Sequence, residues 1–580
     1  MGVQPDRRLF LKYLGAGLTG AAAGGGLGPL AEARGTMPFA SGAPGDGALS
    51  FTPIRPSDAD RLVLPPEFDS RPVALWGDAL PSGNGRFGYN ADYTAFLPLS
   101  PDGNEGLLWV NHEYVSILDP EDGECGVYTQ TFPLVMGRAA TLDDQLHDIG
   151  ASVLHLRRSN DRWAIVNSPQ TRRYDVNSPM RPSGPALQHV RDLAGTLGNC
   201  SGGVTPWGTV LTCEENYQKF VPDDVSIAGR GSTGGRFGRR SEDYGWVVEC
   251  DPADPSFVPV KHTMLGRFRH ENVALHASPG APVIAYMGDD RTNGHVYRFI
   301  SRDRYDGPAA SHRGSLLASG RLFAAVFNAD GTGEWRELAE RTKLAPNPES
   351  PMPAVPTGAT MLGQVYTDLG AIVTDAFRAA NLIGATPAGR PEDLEVHPLD
   401  RSVFIAFTDR ATAPGSPFTN VYGEIVRLVE DGDGTGTRFT WMRWKAGGPQ
   451  AGAMGGDVFA APDNLAFDRA GNMWVITDIR SDRLNGDERY TAFRNNGMFF
   501  IPTAGAQAGR AFQFASGPCE SELTGPSWTP DESTLFLSVQ HPGSAHGIRT
   551  DAAAAPRGSN WPEQRLGAPP RPGVVAINRR

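Results

Sequence analysis

Four short stretches of this 580-residue chain concentrate side chains that bind metals or anions. The densest runs from Gly198 to Tyr217 and holds Cys200, Glu214 and Glu215. A soft thiolate beside a carboxylate suits a transition metal better than Ca2+, so Cys200 and Glu215 form one candidate pair. Successive residues of a strand face opposite sides, so Glu214 and Glu215 share a site only if the chain bends between them. The second stretch, Gly266-Arg267-Phe268-Arg269-His270-Glu271-Asn272, offers Glu271 but lacks the second histidine of a zinc-protease helix. In the third, Arg390-Pro391-Glu392-Asp393, Pro391 fixes φ between a cation and a carboxylate. That suits Arg390 to a substrate oxyanion and Glu392 to a metal. The fourth, Pro462-Asp463-Asn464, reads first as a turn, and its carboxylate is also a metal candidate. Taken singly, these acids read as solvated or structural groups; only convergence would make them ligands.

Groups so far apart in sequence act together only if the fold gathers them. A repeated phrase supplies the means: a turn, a short apolar strand, then a polar cluster. It occurs at 107–113, 209–215, 283–290, 403–409, 473–478 and 535–541. Widely spaced copies of one strand unit predict radial repetition, hence an all-β propeller whose polar strand ends meet at one mouth. Glu113, Asp289, Asp290, Asp409 and Asp478 end such strands and are candidate hard-ion ligands. No EF-hand loop occurs, so any calcium is bound by residues distant in sequence. The 70 glycines and 48 prolines suit short strands and long loops better than helices. Gly370 to Gly384 is the best helix candidate.

The first 33 residues stand apart. Arg7-Arg8-Leu9-Phe10-Leu11-Lys12, a Gly/Ala/Leu-rich run to about Leu30, and Ala31-Glu32-Ala33 have the layout of a cleavable export signal. The arginine pair resembles a twin-arginine leader, and the run is too weakly apolar for a membrane anchor. Residues 34–580 read as a single propeller domain with insertions, because no Gly/Ser- or Pro-rich linker divides them. Removing 1–33 moves the formal charge from −12 to −13. That argues against nucleic acid or an anionic membrane as partner, and an anionic substrate then needs local positive charge. Cys125, Cys200, Cys213, Cys250 and Cys519 are odd in number, so an exported protein keeps at least one thiol outside intramolecular disulfides. The absence of a G-x-S-x-G elbow, a Walker A loop and a Rossmann fingerprint weakens serine-hydrolase, P-loop and dehydrogenase readings.

These residues resemble a known family, the PhoX-type alkaline phosphatases. The matching phrases begin with Phe87-Gly88-Tyr89-Asn90 and Asp92-Tyr93, Asn111-His112-Glu113-Tyr114, and the Asn199-Cys200 to Glu215-Asn216 segment. Next come Gly266-Arg267-Phe268 with His270-Glu271, Met287-Gly288-Asp289-Asp290, and Phe327 to Trp335. Arg390-Pro391-Glu392, Pro462-Asp463, and Thr524-Gly525-Pro526 through His541-Pro542-Gly543 complete the series. The resemblance implies a six-bladed propeller with long loop insertions and a few short helices. It also implies two Fe3+ ions bridged by an oxo group, with Ca2+ beside them. On that basis Cys200, Glu215, Glu271, Glu392 and Asp463 hold iron and Arg390 contacts phosphate, while Glu113, Asp289 and Asp290 are calcium candidates. Such cations would let a chain at −13 receive a phosphate ester. The expected activity is hydrolysis of small phosphate esters by an oxygen nucleophile held by the metals. The expected setting is a monomer exported to the periplasm or beyond by the twin-arginine machinery. Two other classes also fit a carboxylate-rich propeller. One is a calcium-dependent lactonase or esterase, which has no use for Cys200; the other is a non-catalytic propeller whose Ca2+ only stiffens loops.

Overall fold

The computed structural model describes residues 49–580 except 84, 117–130, 309–313, 347–352, 450–457 and 552–556. The segment expected to be an export signal and Cys125 lie outside the described residues. The chain is mostly β-strand with few short helices, in a propeller-like arrangement: four sheets of four or five strands, one of nine, and two short ribbons. All six apolar phrases form strands, at 105–112, 210–214, 282–288, 403–407, 473–477 and 534–540. Each is the second strand in from a sheet edge. Neighbours cover both of their faces, which is why they read as unbroken apolar runs; every residue of Val403–Phe407 and Met473–Thr477 is buried.

The edge strands beside them are Ala91–Pro98, Asn199–Val204, Ala274–His276, Pro391–Val396, Pro462–Phe467 and Glu522–Trp528. They lie side by side in a ring, the last against the first. An edge strand leaves backbone groups unpaired, and here short polar hooks from the next strand take them up. Asn272 Nδ2 donates to the carbonyl of Leu394 at 2.8 Å while its Oδ1 accepts the same residue's N–H at 3.1 Å. Asp393 Oδ2 accepts from the N–H of Leu465 and Asn464 Oδ1 from that of Gly525, both at 2.9 Å. Thr94 Oγ1 donates to the carbonyl of Gly525 at 2.6 Å, and the Ser201 N–H to that of Glu271 at 3.1 Å. These bonds fix the height of each edge strand against the next. The chain ends close the ring: Phe68–Leu75 pairs antiparallel with Gly573–Arg579, in the sheet that also holds 534–540 and 522–528.

The expected helix at 370–384 is two, Leu369–Thr374 and Ala376–Leu382. The break is at Asp375, whose carboxylate takes bonds from the Tyr366 hydroxyl at 2.9 Å and Arg378 Nη1 at 3.0 Å. Among the described residues no helix is long and apolar enough to cross a membrane.

Strand alternation separates Glu214 from Glu215. Glu214 closes its strand facing inward, where Oε1 meets Lys261 Nζ at 2.7 Å and Oε2 accepts from the N–H groups of Gly245 and Trp246 at 3.0 Å. Both charged side chains are 0% exposed. Glu215 begins a tight helical turn and faces the other way. Lys261→Met leaves a buried carboxylate without its cation and is expected to cost about 3 kcal/mol of stability, read as a lower urea midpoint. An unchanged midpoint would contradict this reading of the pair.

Candidate active site

In an antiparallel pair the start of one strand and the end of its partner reach the same rim. One rim of the ring therefore collects two sets of side chains around a cavity of about 360 Å³. Asp92, Cys200, Glu271, Glu392, Asp463 and Glu522 come from the starts of the edge strands, or just before them. Glu113, Glu215, Asp290, Asp478 and His541 come from the ends of the second strands. Pairing slips between Ala91 and Thr94, Asn199 and Gly202, Pro391 and Leu394, and Pro462 and Leu465. Each slip contains one candidate: Asp92, Cys200, Glu392 or Asp463. A bulge turns side chains off the regular alternation, which aims these four at the cavity. Pro391 and Pro462 open their strands, where a missing N–H leaves no gap in the ladder.

Three groups of potential ligands form a connected series: Asp92–Glu113–Cys200, Cys200–Glu215–Glu271 and Glu271–Glu392–Asp463. Within each group, one ligand atom from every residue lies within 4.8 Å of the others. Cys200 and Glu271 each belong to two groups, and the thiol sulfur stands 3.3 and 3.2 Å from the two Glu271 carboxylate oxygens. Gln540 Nε2 donates to Asp92 Oδ2 at 2.9 Å and to Glu113 Oε2 at 2.8 Å. Asn216 Nδ2 donates to Glu113 Oε1 at 2.6 Å and also contacts Glu215. Arg390 reaches Asp290 through Nε and Nη2 at 2.9 Å, Glu392 Oε1 at 2.8 Å and Asp478 Oδ2 at 3.3 Å. It has a left-handed backbone, φ 54°, immediately before a proline. Such strain persists only where the surroundings hold it, and three carboxylates do so here. Gly288 makes room for this segment: a Cβ there would lie 2.4 Å from the carbonyl oxygens of Pro391 and Glu392.

With this geometry in hand, comparison with known proteins is decisive. The family model for alkaline phosphatase PhoX matches residues 49–543. The chain belongs to the PhoX alkaline phosphatase family. The structure of Pseudomonas fluorescens PhoX in complex with vanadate, a transition state analogue, is similar over 91% of this chain and 98% of its own. Its sequence identity is 29% and its TM-score 0.74. A gluconolactonase from Xanthomonas campestris aligns over 93% of this chain and 98% of its own at 11% identity, but its TM-score of 0.30 carries no argument. No curated protein matches in sequence. The chain is a phosphatase acting on phosphate esters.

In this PhoX member the cavity sets nine carboxyl groups and Cys200 against five cations, Lys219, Arg269, Arg291, Arg390 and Arg480. That excess cannot stay ionised in a buried site unless cations join it. Burial first, then neighbouring carboxylates, drives Asp92, Glu215, Glu271, Glu392 and Glu522 well above the usual carboxylate range, and does the same to the Cys200 thiol. Burial raises Glu113 and Asp463 to about 7. Burial opposes the charge of Arg390, yet Asp290, Glu392 and Asp478 together hold it firmly protonated. Asp92 Oδ1 and Asn90 Oδ1 are buried without a hydrogen-bond partner. A set of carboxylate oxygens, one thiol and orphaned acceptors fits bound metal ions, hard ones with a softer contact at Cys200.

The structure thus gathers Cys200, Glu215, Glu271, Glu392, Asp463, Arg390, Glu113 and Asp290 at one cavity. Asp289 is not among the lining residues; strand alternation turns it away, and its Oδ1 accepts from Arg291 Nε at 2.8 Å and from the Arg269 N–H at 3.2 Å. Asp409 is likewise elsewhere, bound to Arg483 Nη2 at 2.5 Å. The described Cys213, Cys250 and Cys519 are free and buried, away from the site. Sequence reasoning did not single out Asp92 or Glu522, nor Gln540 and His541 as lining groups. A signal existed: a carboxylate or thiol precedes each apolar strand by ten to thirteen residues. Asp92 precedes Glu105, Cys200 Val210, Glu271 Pro282, Glu392 Val403, Asp463 Met473 and Glu522 Thr534.

The raised carboxyls predict how metal-free protein behaves. Glu113 moves from 4.5 and Asp463 from 3.8 to about 7, so the folded state holds protons that the unfolded chain releases. Their contribution is full below pH about 4 and is lost as pH rises through 7. Chelator-stripped protein should therefore melt at a lower temperature at pH 8 than at pH 5, and added Ca2+ should restore most at pH 8. A melting temperature of stripped protein that rises between pH 5 and pH 8 would count against this account.

Proposed function

We propose that this phosphatase hydrolyses small phosphate monoesters at a mixed cluster of Fe3+ and Ca2+. The observation that carries the reading is the connected series of ligand groups meeting at Cys200 and Glu271. Cys200, Glu215, Glu271, Glu392 and Asp463 are assigned to iron: Cys200 and Glu215 group with Glu271, Glu271 links them to Glu392 and Asp463, and a thiol beside carboxylates favours a transition metal. Asp92, Glu113, Asp290 and Glu522 are assigned to calcium, which takes oxygen ligands. When bound, such ions act as Lewis acids on the phosphoryl oxygens and neutralise charge that develops in transfer.

The chain's own residues do the rest. Arg390, fixed by three carboxylates, orients the non-bridging phosphoryl oxygens through its guanidinium edge. Gln540 and Asn216 supply N–H donors that hold Asp92, Glu113 and Glu215 in place. His541, at φ 36° and 3.6 Å from Glu522, borders the cavity on the same rim.

The same proposal extends to the whole chain. The nine-stranded sheet is read as two blades joined along their outer strands, 332–337 against 438–446, which makes six blades around the ring. Residues 1–33 are read as a twin-arginine signal and 34–580 as one domain, exported as a folded monomer.

Two experiments test these assignments. Cys200→Ser, isolated through the native export route, should lose iron by elemental analysis and lose at least about a hundredfold in kcat on p-nitrophenyl phosphate. Wild-type iron content and turnover in that variant would overturn the iron assignment. Replacing both Arg7 and Arg8 by Lys should hold the protein in the cytoplasm, and unchanged export would refute the twin-arginine reading.

A further inference from the structure

The cavity has a second wall of opposite character. Arg269 lies two residues before Glu271, so strand-like alternation puts both on the cavity side. Between them His270 turns inward, stacked on Phe268 with ring centroids 3.6 Å apart and bonded through Nε2 to the Gly266 carbonyl at 2.8 Å. The backbone of Arg269 is pinned at both ends: its N–H donates to Asp289 Oδ1 at 3.2 Å and its carbonyl accepts from the Asp290 N–H at 2.9 Å.

Its guanidinium is not pinned. The ion pair to Asp223 Oδ2 spans 3.6 Å, beyond hydrogen-bond reach, and the buried Nε has no hydrogen-bond partner. Arg390 differs, since three carboxylates already engage its nitrogens. Beside Arg269, Arg291 also lines the cavity, fixed by Asp289 at Nε and stacked 4.1 Å over the ring of Phe377. A half-buried guanidinium with unused donors is unfavourable until an anion meets it.

The cavity of about 360 Å³ falls in the range that holds a whole small molecule, not a phosphoryl group alone. With the phosphoryl group over the carboxylate-rich floor near Arg390, the alcohol portion of an ester has the arginine wall within the same cavity. We propose that Arg269, backed by Arg291, binds a second anionic group on the leaving alcohol. The favoured substrates are then phosphate esters of alcohols that carry a carboxylate or another phosphate. The proposal rests on the phosphatase activity and on Arg390 marking the phosphoryl end.

The test compares 3-phosphoglycerate with glycerol 3-phosphate, which differ by a carboxylate in place of a hydroxymethyl group. With metal-loaded enzyme at fixed ionic strength, the wild type should favour 3-phosphoglycerate about tenfold or more in kcat/KM. Arg269→Gln should bring the ratio close to one, chiefly by raising KM for 3-phosphoglycerate, and Arg269→Lys should keep part of the preference. Metal content is measured in the same samples. A wild type without preference, a ratio unmoved by Arg269→Gln, equal slowing on both esters, or loss of metal from the variant would overturn the proposal. If the wild type hydrolyses p-nitrophenyl phosphate but neither ester, this inference fails while the phosphatase activity stands.

Discussion

Repulsion between buried carboxylates governs this structure. Nine acidic side chains and a thiol converge on one cavity with five basic ones, and burial raises the proton affinity of most of the acids. An apolar core would never assemble such a group, and a rigid frame must hold it against its own charge. Protonation relieves the repulsion at low pH, while cations, when bound, would relieve it at higher pH. The same charge that destabilises the metal-free fold makes the site a strong receptor for multivalent ions.

The frame answers that demand in two ways. Antiparallel pairing brings strand starts and strand ends to one rim, so five of the six edges of the ring contribute from two elements at once. Polar hooks then tie the edge strands together directly behind the candidate ligands: Ser201 follows Cys200, Asn272 follows Glu271, Asp393 follows Glu392 and Asn464 follows Asp463. A side chain facing the cavity is followed by a residue that grips the neighbouring strand, through its side chain at Asn272, Asp393 and Asn464 and through its backbone N–H at Ser201. Chemistry and closure of the ring are therefore written in adjacent residues, and a change in either is felt by the other.

Much of this was legible in the sequence. The six apolar phrases are strands, and Cys200, Glu215, Glu271, Glu392, Asp463 and Arg390 do meet. What the phrases concealed was their place in the sheet: they are second strands, and most of the candidate ligands belong to the less apolar edge strands before them. Asp92 and Glu522 escaped notice because in sequence an acid at a strand start looks like any solvated acid until its spacing from the next strand is compared across the repeats. Asp289 was a reasonable candidate from position alone, but alternation gives the cavity to Asp290 and gives Asp289 to Arg291. The loosely held guanidinium of Arg269 has no sequence signature at all, since it depends on an ion pair to Asp223 stretched to 3.6 Å.

The arginine wall and the acidic floor divide one cavity into a part that draws cations and a part that draws anions. Arg390, which we propose offers its guanidinium to substrate, pairs with the floor carboxylates Asp290, Glu392 and Asp478. The central claim is that the floor is a multi-cation centre built on Cys200 and Glu271. The most direct test is anomalous diffraction from crystals of the exported protein, recorded at the iron edge and at a wavelength sensitive to calcium. The account predicts iron bonded to the Cys200 sulfur and a Glu271 oxygen, with calcium among the remaining carboxylates. Density showing no iron at Cys200, or the metals bound away from this rim, would contradict it.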